Sequence, residues 1–209
     1  MTVQAGTIIA RVRNQLIDNG QNGVAERWSD SELIGWINEG QRTILNAMPD
    51  STALVAVISL AAGVRQALPA NARQLLAAYR NMGPSGATPG NAPMLWSRDY
   101  MNVQVPNWPA AAANPVVQVV MYDVADRFAF YCYPPNDGTG TLEINYSQMI
   151  ADCVLDTDVL TVQDVYQTPL FDYTMMRASQ KDSDYAGGQA LAAVYSNSFV
   201  AFLSAAKGG

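Results

Sequence analysis

The chain reads as an α+β protein: a helical bundle formed by its N- and C-terminal helices, with an antiparallel β-rich domain inserted between them. Three observations predict this. Apolar residues over 8–48 recur at helical spacing, 53–147 holds β-rich runs separated by Pro, Gly and Asn, and helical spacing returns after Thr168-Pro169. Helices at both ends of a chain bury their stripes most simply against each other, which leaves the middle as an insertion with segregated layers. The expected division is a discontinuous helical domain, 1–52 with 160–209, and a β-rich domain, 53–159.

The first helix spans 7–18, with Ile8, Val12 and Leu16 on one face and Asn19-Gly20 as its stop. A loop follows over 20–27. Ser29 is the N-cap of the second helix and Glu32, three residues on, completes a capping box; Trp28 and Leu33 form a hydrophobic staple around it. Asp30 and Glu32 suit the positive end of the helix dipole. Leu33, Ile37, Gly40, Ile44 and Met48 make the buried stripe until Pro49 ends it.

Residues 54–60 are β-rich, Ala62-Gly63 turns, and 64–68 returns as a hairpin. One helical turn is expected over 69–73 and a strand over 75–82. Residues 83–93 and 105–115 read as surface loops, around a short strand at 94–96 and a short helix that Ser97-Arg98-Asp99 caps and that runs to Val103. Three consecutive strands follow at 116–122, 127–133 and 141–147, with turns at 124–127 and 134–138. Their alternation suits an antiparallel sheet. Thr168-Pro169 caps the third long helix, Gly187-Gly188 breaks it, and Leu191, Val194, Tyr195, Ser198, Phe199 and Phe202 form the stripe of the last one.

Composition excludes several functions. The 209 residues contain no histidine, which removes Ser-His-Asp triads, Cys-His dyads, His-ligated zinc and the usual general base. Two cysteines, Cys132 and Cys153, build neither a zinc site nor a disulfide framework. No apolar run reaches the ~20 residues of a membrane span, and the first residues lack the charged and apolar regions of a secretion signal. Neither a P-loop nor a GxGxxG sequence is present. Asp152, Asp156 and Asp158 cluster without EF-hand spacing. Asp123 and Asp126 flank a turn, where carboxylates are ordinary, although paired carboxylates also hydrolyse glycosides. Asn145-Tyr146-Ser147 matches a glycosylation sequon inside an expected strand. No cofactor is implied.

Charged residues are only 14 % of the chain, with ten Arg to two Lys and fourteen Asp to four Glu. Protein interfaces are depleted in Lys and Glu and enriched in Arg, Met, Tyr and Trp. With nine Met, ten Tyr and four Trp, the surface reads as one covered by other protein chains. Arg11, Arg13, Arg27 and Arg42 are candidates for pairs between subunits, or for a solvated helix face. Between Arg127 and Arg177 there are seven acids and no base, a distribution that repels nucleic-acid phosphates.

The run Arg27-Trp28-Ser29-Asp30-Ser31-Glu32-Leu33-Ile34-Gly35-Trp36-Ile37-Asn38-Glu39-Gly40-Gln41-Arg42 resembles the opening segment of the phage adaptor proteins, the head-to-tail connectors of tailed bacteriophages. Stretches at 62–69, 80–83, 131–135, 142–147 and 177–186 match in the same order, so the resemblance covers roughly 5–203; the Ala-rich segment 109–115 departs from it. It implies a non-enzymatic virion protein: a ring, expected to hold twelve copies, beneath the portal protein, carrying the tail tube or nozzle and surrounding the DNA exit channel. Genomic DNA would pass without specific binding, no membrane is involved, and assembly takes place in the host bacterial cytoplasm. Asp152, Asp156 and Asp158 are then candidates to face the channel, and Phe202, Leu203 and Lys207 to dock on the portal. The alternatives are another tail or head-completion protein, and a β-sandwich module whose Trp96, Trp108 and Tyr122 stack on host glycans.

Overall fold

The computed structural model describes residues 3–18, 20, 26–123, 125–182 and 187–207. Asn19 of the expected helix stop, most of the 20–27 loop, Val124 of the expected turn, 183–186 of the last matching stretch and Gly208-Gly209 lie outside the described residues. In chain order the elements are α1 (Ala5–Leu16), α2 (Asp30–Ala47), β1 (Ala53–Ser59), β2 (Gly63–Ala67), β3 (Ala72–Met82), β4 (Met94–Trp96) and α3 (Arg98–Gln104). They continue with β5 (Val119–Tyr122), β6 (Ala129–Asn136), β7 (Thr141–Gln148), α4 (Gln167–Lys181) and α5 (Gly188–Lys207). Helices at both ends flank a β-rich middle, an α+β fold. Two compact units divide the chain: Met1–Thr52 with Ile150–Gly209, and Ala53–Met149.

In the helical unit α1, α2 and α5 all pack on α4 or on each other. The core joins Ile8 and Val12 of α1, Leu33, Ile37 and Ile44 of α2, Leu170 and Met175 of α4, and Phe199 and Leu203 of α5. Residues 150–159 belong to this unit. The Ala5 and Gly6 N–H groups donate to the Asp158 and Asp156 carbonyls at 2.9 and 2.7 Å. These distant acceptors satisfy donors that a helix leaves open at its start, and α1 begins two residues before its periodicity suggests. It ends at Ile17, in a left-handed conformation with φ of 56°, rather than at Asn19-Gly20. The Ile17 and Asp18 N–H groups close back on the Asn14 and Arg13 carbonyls, the arrangement of a Schellman stop.

α4 does not start from a Thr168 cap. A single 3-10 turn, Asp164–Tyr166, leads directly into Gln167, and Pro169 falls in the first helical turn, where its missing N–H is tolerated. Gly188 opens α5; a Cβ there would lie 2.7 Å from the Asp182 carbonyl oxygen and 3.0 Å from that of Ser179.

The β unit holds two sheets, ordered β1-β7-β3 and β2-β6-β5-β4, antiparallel except for the parallel pair β4–β5. Leu75, Val120, Phe130, Cys132, Leu142 and Ile144 form the core that the sheets share. Two expectations are corrected. β1 and β2 are not a hairpin: β1 pairs with β7 and β2 with β6. Gly63, with φ of 110°, and the Gln66 side chain, which donates to the Ala61 carbonyl at 2.8 Å and accepts from the Ala61 N–H at 2.7 Å, turn the chain from one sheet into the other. Likewise β5, β6 and β7 are not one sheet, and Pro134, Pro135 and Asn136 extend β6 instead of turning it. The helical turn expected at 69–73 is a turn closed by the Ala72 N–H on the Pro69 carbonyl. Ser97 caps α3 through the Tyr100 N–H at 3.1 Å, and α3 covers an outer cluster of Met101, Trp108, Val119 and Met121.

Candidate functional site

The segment 27–42 is built into its own unit. Ser29 Oγ accepts from the Glu32 N–H at 3.3 Å, so the cap forms. The reciprocal half of the box does not: the Glu32 carboxylate is taken by Lys181 of α4. Trp28 is buried with Leu33 and meets Trp36 edge-on at 5.6 Å. Glu39 pairs with Arg177 of α4 at 3.3 Å. Asn38 and Gln41 are buried polar residues on the inner face of α2. Asn38 donates to the Cys153 carbonyl at 2.9 Å and accepts from its N–H at 3.0 Å; Gln41 Oε1 accepts from the Thr161 N–H at 2.8 Å. Together they fasten the segment 153–162 to α2. The sequence carried a signal for both: a polar residue at 38 and another at 41 beside a stripe that is otherwise apolar.

The candidate arginines find partners within the chain, Arg13 buried and Arg27 and Arg42 at the surface. Arg13, nearly buried, pairs with Asp18, Glu26 and Asp30 at 3.3, 2.9 and 2.6 Å and donates to the Trp28 carbonyl. Arg27 pairs with Asp182 and Arg42 with Asp152. Arg11 lies over the Phe171 ring at 4.7 Å.

The acids read as candidates for a channel are distributed over different tasks. Asp152 is the partner of Arg42. Asp156 is exposed, and its backbone carbonyl receives α1. Asp158 accepts from the Val154 and Leu155 N–H groups at 2.7 and 2.8 Å, and those bonds hold its carboxyl below the usual carboxylate range. Asp172 is buried, and its carboxylate accepts from Ser198 Oγ of α5 at 2.6 Å. Among the described residues no group of His, Cys, Asp and Glu is arranged to hold a metal ion.

Asp123 and Asp126 serve their turn. Asp123 accepts from the Ala125 N–H at 2.8 Å, and Asp126 takes a two-pronged bond from Arg65 at 3.0 and 3.1 Å, which lowers its carboxyl. Asn145 sits within β7 and donates to Tyr79 Oη at 3.0 Å. The three aromatics weighed for sugar stacking are not one platform: Trp108 is buried and bonded to Asn102, Tyr122 is half-buried, and Trp96 meets Tyr100 edge-on.

At the C-terminal end, Leu203 is buried, Phe202 meets Tyr166 edge-on at 6.1 Å, and Lys207 is exposed. The outward face of α5 presents Leu191, Val194 and Val200 with no charge before Lys207. Among the described residues α5 is the one helix long and apolar enough to cross a bilayer. It does so by length and mean hydropathy alone, since Gln189, Ser196, Asn197, Ser198 and Ser204 interrupt its apolar run. Its inner face is nevertheless core, through Ala192, Phe199 and Leu203.

The described ion pairs join elements of the chain itself, and its charged residues are few, as at surfaces that other proteins cover. The SU10 adaptor protein family model matches residues 3–208, and the chain belongs to that family. It is therefore a bacteriophage adaptor, a structural component of the virion neck or tail. No curated protein matches the chain.

Proposed function

We propose that the chain forms a ring, with twelve copies, between the portal protein and the tail tube or nozzle, around the channel through which DNA leaves. The family match over nearly the whole chain carries this reading. It acts by position, without catalysis or cofactor, after assembly in the host cytoplasm. The charge distribution supports it. The helical unit has seven positive and thirteen negative groups, net −6, whereas the β unit has five of each. Most cations of the helical unit are engaged within the chain, so little positive charge remains to hold phosphate, and DNA passes without sticking. Asp152, Asp156 and Asp158 contribute to the acidic lining. The portal is met by the end of α5, where Lys207 stands exposed and Phe202 and Leu203 seat the helix.

Mass measurement of the purified chain with and without portal protein tests the ring. One discrete complex with twelve copies per portal ring is expected; a single bound copy, or none, overturns the reading. Deleting 204–209 should abolish attachment to emptied heads, and normal attachment defeats the docking assignment.

A further inference from the structure

We draw no further inference here: the strongest candidate, the cavity of about 530 Å³ in the helical unit between the ends of α1 and α4 and the start of α5, lined by the buried Ser179 with its unpaired hydroxyl, carries nothing because its rim continues at Asp18 and Asp182 into residues outside the described ones and nothing in the structure shows what fills it.

Discussion

The side-chain amide of Asn38 meets the backbone of Cys153 in both directions, donating to its carbonyl at 2.9 Å and accepting from its N–H at 3.0 Å. Replacing Asn38 by Ala leaves two buried backbone groups without partners. The expected loss is about 2 to 4 kcal/mol. Urea unfolding should show a lower midpoint with an unchanged slope, since the surface exposed on unfolding stays the same.

At the start of α2, Ser29→Ala removes the acceptor for the Glu32 N–H. A cost of about 1 kcal/mol is expected. Lys181→Ala, which removes the ion pair that Glu32 makes instead of closing the box, should cost less, because the pair is partly exposed. Thermal unfolding of the two variants checks the order; a larger effect at Lys181 would contradict it.

Asp158 makes stability depend on acid. Its carboxyl is lowered by the Leu155 and Val154 N–H groups, so its contribution is complete above the ordinary aspartate value of about 4. That contribution is lost as pH falls through the lower folded value. The stability gap between the unaltered chain and Asp158→Ala should be constant near neutrality and shrink in acid. Urea midpoints measured across pH 2 to 7 test this; a gap that widens in acid would refute it.

Gly140 is tightly enclosed. A Cβ there would collide with the Pro115 carbonyl oxygen and the Asn136 side chain. Asn136 in turn accepts from the Gly138 and Gly140 N–H groups at 2.9 and 3.2 Å. Gly140→Ala should destabilise the β unit by about 2 kcal/mol or more, read as earlier protease cleavage within 53–149 than within the helical unit.

The helices were legible because their signals are local. Ser29, Trp28 and Leu33 mark the start of α2 within a few residues, and Pro49 marks its end. Strand positions were legible for the same reason, but strand partners were not. A turn such as Ala62-Gly63 serves a hairpin or a corner equally well, and Gln66, which decides for the corner, acts through a side-chain bond rather than a pattern. The early start of α1 depends on carbonyls at 156 and 158, more than a hundred residues away. The acids at 152–172 looked alike in sequence, yet one pairs with Arg42, one holds a turn and one is buried against Ser198. Only their surroundings separate them.

Both cysteines are buried, and burial pushes both thiols up, away from the reactive thiolate. The native chain is thus a silent background for thiol-directed dyes and spin labels under folding conditions. A single cysteine introduced on any exposed position becomes the sole reporter, and the natural thiols need not be removed first.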